Sequence, residues 1–86
     1  MEKQLATITI LSHDRHNNST KLQNIFTQNS HLIMSRVGIN PQRACLEKCK
    51  GLIVLAVEAK QEEIHTLQKK LNDISGVEAK ETIMTN

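Results

Sequence analysis

Between Gly51 and Ala59 the chain reads Gly-Leu-Ile-Val-Leu-Ala-Val-Glu-Ala, a run that is apolar on both sides of any strand it forms. Side chains alternate across a strand, so Leu52, Val54 and Ala56 share one face and Ile53, Leu55 and Val57 share the other. A strand of this kind belongs in the interior of a sheet, with both faces covered. What covers them depends on the elements that the rest of the chain supplies.

Residues 4–11, Gln-Leu-Ala-Thr-Ile-Thr-Ile-Leu, alternate and are rich in β-branched types, which predicts a first strand. A polar run from Ser12 to Ser19 offers several helix N-caps, and Leu22, Ile25 and Phe26 follow at helical spacing. A helix is therefore expected from about Arg15 to Gln28. Residues 31–39 read as a second strand, ended by Asn40-Pro41, because proline restricts its predecessor and brings no donor. Residues 40–50 form a polar, charged connection to the strand at 51–59. Ile64, Leu67, Leu71 and Ile74 then mark a helix over 61–74, with Glu62 and Glu63 near its positive end and Lys69 and Lys70 near its negative end. Gly76 suits the helix stop, and Val77 to Met84 reads as a last strand.

The resulting order, β-α-β-β-α-β, is the split βαβ arrangement: an α+β, ferredoxin-like fold with a four-stranded antiparallel sheet and two helices on one face. Its first and third strands lie in the middle. Two helices cover one face only, so the second apolar face of residues 51–59 predicts a homodimer or homotetramer assembled through the sheet. Composition points the same way. A chain of 86 residues is expected to be one domain over 1–86, and its core must be aliphatic, since Phe26 is the only aromatic residue. A domain of this size buries only about 60–65% of its unfolded surface, so association would add useful stability.

Several function classes are disfavoured. The 11 basic and 9 acidic residues are interspersed, and the densest basic stretch, Arg43, Lys48 and Lys50, is interrupted by Glu47. Without a concentrated basic face or an aromatic stacking platform, direct nucleic-acid binding is not expected. No segment approaches the ~20 apolar residues that span a bilayer, and Met1 to Asp14 does not read as a signal peptide, so no membrane partner and a cytoplasmic location are expected. Gly38, Gly51 and Gly76 are scattered, with no phosphate loop and no nucleophile signature among the serines and cysteines, so no enzyme is expected. The sequence names no cofactor.

Asp14-Arg15 after the first strand, Arg36-Val37-Gly38 in the second and Leu52-Ile53-Val54-Leu55 in the third carry a further pattern. So does Lys70-Leu71-Asn72-Asp73-Ile74-Ser75-Gly76-Val77, with Lys80 after it. Together, over nearly the whole chain, they resemble the small stand-alone ACT-like proteins described as regulators of iron-only hydrogenase systems. The resemblance implies an ACT-like fold, an oligomer, and a regulatory role exercised through ligand binding and a partner protein. In amino-acid-binding ACT domains the first loop commonly carries Asp-Arg-x-Gly. Here Asp14 and Arg15 match and Asn17 stands at the glycine position. The ligand-binding residues implied are Asp14, Arg15, Asn17, Asn18, Arg36 and Gly38. The plainer reading has Asp14 capping the first helix and Arg15 solvated.

Cys45 and Cys49 lie four apart in the 40–50 connection, where this chain departs from the family pattern. In a helical turn both thiols would share a face, half of a tetrahedral zinc site that a two-fold axis would complete. The alternative function is accordingly a metal-handling accessory protein for hydrogenase assembly that uses Cys45 and Cys49. In a chain with no export signal the plain expectation is two exposed, reduced thiols. His13 and His16 share a loop and would either meet on a metal or be ordinary polar residues.

Overall fold

The computed structural model describes residues 2–41 and 45–85. Its elements run β1 (Gln4–Ser12), α1 (Arg15–Gln28), β2 (Ile33–Ile39), β3 (Gly51–Ala59), α2 (Gln61–Asn72) and β4 (Val77–Ile83). The four strands form one sheet in the order β2-β3-β1-β4, every neighbouring pair antiparallel. β1 and β3 are central, as the βαββαβ ferredoxin-like order requires.

Register follows from the apolar alternation. Ala6, Ile8 and Ile10 pair with Val57, Leu55 and Ile53, and all six point toward the helices. Leu22 and Phe26 from α1 and Ile64, Leu67 and Leu71 from α2 close this aliphatic core. A one-residue slip would send every one of these side chains to the opposite face, so the pairing has little freedom.

Element ends depart from the periodic pattern where backbone groups find other partners. β2 begins at Ile33 rather than His31, because the Leu32 and Ile33 N–H groups donate to the Asn29 and Ser30 carbonyls in a turn. The register of β2 then jumps between Ile33, opposite Val57, and Ser35, opposite Ala56, leaving Met34 as the extra residue of a bulge. α2 stops at Asn72, although Ile74 still buries its side chain. Beyond Asn72 the Ile74 N–H donates to Leu71, a tighter i to i−3 bond, and Gly76 makes the reversal at φ 79°. That angle is costly for residues with a Cβ.

The two sheet edges are treated differently. On β4 the Asn72 side chain accepts from the Ala79 N–H at 2.8 Å and donates to the Ala79 carbonyl at 3.0 Å, and Gln68 also donates to that carbonyl. These bonds cap the edge at its centre. On β2, Met34 to Ile39 are all exposed. The face turned away from the helices carries Leu5, Val37 and Ile39 exposed, with Leu11, Leu52 and Val54 half-buried beside them. Val37 and Ile39 are 56% and 49% exposed.

Candidate functional site

The junction between β1 and α1 is held by side chains with short reach. Asp14 caps α1, its carboxylate accepting from the Asn17 backbone N–H and, at 2.7 Å, from the Asn17 side-chain amide. A carboxylate here satisfies an otherwise unpaired helix donor and faces the positive end of the helix. Ser12 is buried, and its hydroxyl oxygen accepts from the Asn18 amide at 3.1 Å. The Arg15 N–H donates to the Cys49 carbonyl at 2.7 Å, which ties the start of α1 to the connection between β2 and β3.

Beside this junction lies a cleft of about 490 Å³, open to solvent between α1 and the ends of β2 and β3. One helical face supplies Arg15, Ser19, Leu22 and Gln23, which recur at three- and four-residue spacing, with His16 next to them. Opposite stand Gly38, Ile39 and Asn40 from the end of β2 and Gly51, Leu52 and Ile53 from the start of β3. Among the described residues that line the cleft there is no carboxylate. Leu22 and Ile53 provide apolar side chains, and Arg15, His16, Ser19, Gln23 and Asn40 provide hydrogen-bonding groups.

Arg15 spans the mouth. Its guanidinium donates to the Asn40 side-chain oxygen and reaches the Lys50 carbonyl at 3.5 Å, so it bridges both ends of the β2–β3 connection. Gly51 makes this approach possible: a Cβ built there would stand 3.0 Å from the Arg15 Cβ.

The sequence-derived candidates divide. Arg15 and Gly38 line the cleft together. Asp14 and Asn17 bond to each other in the cap, and Asn17 keeps helical geometry; Lys48 is the one described non-glycine residue with positive φ. Asn18 is buried and committed to Ser12. Arg36 does not join Gly38 in the cleft. It lines a second cavity of about 290 Å³, stacks 5.4 Å over the Phe26 ring and donates to Gln23 at 2.8 Å. Gln23 thus touches both Arg36 and the cleft. Ser19, Gln23 and Asn40 were not among the sequence candidates. The i, i+4, i+8 recurrence of Arg15, Ser19 and Gln23 is the signal that marks the helical part of the wall.

The two cysteines depart from expectation. Cys45 and Cys49 are joined as a disulfide, with Cα atoms 5.6 Å apart, rather than standing as free thiols. Nor are they exposed on a helical turn. The segment is a loop, Cys49 is fully buried and Cys45 half-buried. Lys48, with φ 48°, reverses the chain and brings the two together. Arg43 lies outside the described residues. His13 approaches Glu78 on β4 at 3.6 Å, whereas His16 lines the cleft, so the two histidines face different neighbours. His65 on α2 accompanies Glu81 at 2.8 Å. Among the described residues no cluster of three or more His, Cys, Asp or Glu side chains is placed to hold a metal ion. Among the described residues no helix is long and apolar enough to cross a membrane.

Residues 4–81 match the model of the TM1266-like family, whose description is "Iron-only hydrogenase system regulator, putative". Among solved structures, the uncharacterized protein TM1266 from Thermotoga maritima is 30% identical and superposes with a TM-score of 0.84, covering 98% of this chain and 100% of its own. No curated protein matches.

Proposed function

The chain belongs to the TM1266-like family, and from that membership we propose that it is a non-catalytic, ACT-like regulatory domain of an iron-only hydrogenase system. It acts in the cytoplasm by binding a small effector, assembling through its sheet and passing the signal to a partner protein, without contacting nucleic acid or membrane itself. The observation that carries this reading is the cleft beside α1. An arginine at its mouth, the absence of carboxylates among its described lining residues and the apolar side chains of Leu22 and Ile53 suit a small carboxylate or phosphate ester with an apolar portion.

The uncovered sheet face supports the assembly half of the reading. Val37, Ile39, Leu52 and Val54 make a continuous apolar strip across β2 and β3, and beyond it the same face turns polar through Thr7 and Thr9 of β1 to Glu78, Lys80 and Thr82 of β4. An apolar patch flanked by polar and charged side chains suits a protein interface. Calorimetric titration with a panel of small carboxylates and phosphate esters tests the effector. At least one should bind the wild type, and Arg15→Ala should weaken it by about 10- to 100-fold, the worth of a lost charge-assisted bond. Arg15→Lys keeps the charge and should retain part of the affinity. If no member of the panel binds, or if Arg15→Ala binds equally well, the cleft is not an effector site.

A further inference from the structure

The sulfur atoms of Cys45 and Cys49 differ in access and share one mechanical connection to the cleft. Cys49 has no solvent exposure, whereas Cys45 is half-buried. The Cys49 carbonyl accepts the Arg15 N–H at 2.7 Å, and the next residue, Lys50, offers its carbonyl to the Arg15 guanidinium. Inside the ring that the disulfide closes, Lys48 holds φ 48°, a left-handed conformation that side chains other than glycine, asparagine and aspartate seldom adopt. Closing the ring therefore holds a strained residue next to the carbonyl that anchors α1. Opening it lets Lys48 return to ordinary backbone angles and removes the constraint on that carbonyl.

We propose that Cys45 and Cys49 form a reversible thiol–disulfide exchange site, served by a dithiol reductant, whose oxidation state sets the position of the α1 N-terminus and the mouth of the cleft. A thiolate of the reductant attacks the accessible Cys45 sulfur. The Cys45–Cys49 bond breaks, and Cys49 leaves as a thiolate that takes up a proton. The second thiolate of the reductant then attacks its own sulfur in the mixed disulfide and releases Cys45, which is protonated in turn. In sum the protein gains two electrons and two protons and the dithiol becomes a disulfide. In a cytoplasmic protein such a bond is a switched state rather than a permanent staple. The consequence for effector affinity rests on the function proposed above; the thiol chemistry and the movement of Arg15 stand apart from it.

The test uses the full chain equilibrated with oxidised and reduced dithiothreitol at a series of ratios. Alkylation followed by mass measurement should show two thiols appearing together in one transition, with far-ultraviolet dichroism unchanged. Across that transition, hydrogen exchange at the Arg15 amide should accelerate at least 10-fold, while the Ile8 and Leu55 amides stay protected. Cys49→Ser, which leaves the accessible Cys45, should react with an aromatic disulfide reagent at least 10-fold faster than Cys45→Ser. Equal Arg15 exchange in the two redox states would overturn the proposal, and so would loss of the fold on reduction. None of these readouts uses the effector, so a failure here is distinct from a failure of the cleft to bind one.

Discussion

The uncovered face of the sheet makes the sharpest quantitative demand. Full burial of a Val or Ile side chain is worth about 1.5–3 kcal/mol. Val37 and Ile39 are 56% and 49% exposed in the single chain, so covering what remains is worth about 1 kcal/mol each. In a two-fold dimer both copies contribute the same pair, giving about 4 kcal/mol from these positions, or roughly three decades in Kd. The double substitution Val37→Thr, Ile39→Thr keeps β-branched shape and strand preference while replacing a methyl or ethyl group with a hydroxyl that water solvates. Both positions lie on an exposed edge strand, so the monomer fold should be unaffected. Sedimentation velocity over a 1000-fold concentration range should show self-association of the wild type, and the variant's Kd should rise by about 10³-fold with Tm at low concentration changed by only a few degrees. A wild type that stays monomeric at several hundred micromolar, or a variant with unchanged Kd, would refute the argument that this face is covered by a second copy.

Other positions make separate demands. Asp14→Ala removes the α1 cap and should cost about 1 kcal/mol in urea unfolding, whereas Asp14→Ser should cost only a few tenths. Asn72→Ala leaves the Ala79 N–H on the β4 edge without its side-chain partner, while Gln68 still donates to the Ala79 carbonyl; a loss of about 1–3 kcal/mol at unchanged m-value is expected, and the uncapped edge should raise aggregation measured by light scattering. Gly76→Val places a β-branched residue at φ 79° and should lower stability by more than 1 kcal/mol, with Gly76→Asn distinctly milder in the same thermal assay. Reduction of the disulfide opens a ring whose cysteines are four apart in sequence; for so short a loop the chain-entropy estimate is about 2 kcal/mol, read as a shift of the urea midpoint with the fold retained below it.

The strands and helices lay open in the chain's periodicities, because a strand's two-residue alternation and a helix's 3.6-residue stripe are written into neighbouring residues. The central place of β1 and β3 follows from the order of those elements. Part of the site was equally legible. Asp14 as a cap is a local matter, since its carboxylate reaches only the first turn of its own helix. Arg15 belongs to that same junction, and its place in the cleft follows from where the helix starts.

What no local pattern carried is which distant residues meet. Asn40 and Gly51 reach Arg15 only because β2 and β3 end beside the start of α1, a consequence of sheet order and register. Arg36 and Gly38 sit two residues apart on one strand face, yet helix packing sends them to separate cavities, Arg36 over Phe26 and Gly38 beneath the first turns of α1. A spacing of four left the two cysteines open to a helical turn, a metal or free thiols. The left-handed reversal at Lys48 and the anchoring of Cys49 against Arg15 brought them together instead. The elements and their order were set within the chain's own local patterns, because propensity and periodicity act within a few residues. Only the tertiary structure decided the composition of the cleft, the state of the sulfurs and the capping of the β4 edge by Asn72, because each depends on pairing between segments far apart in the chain.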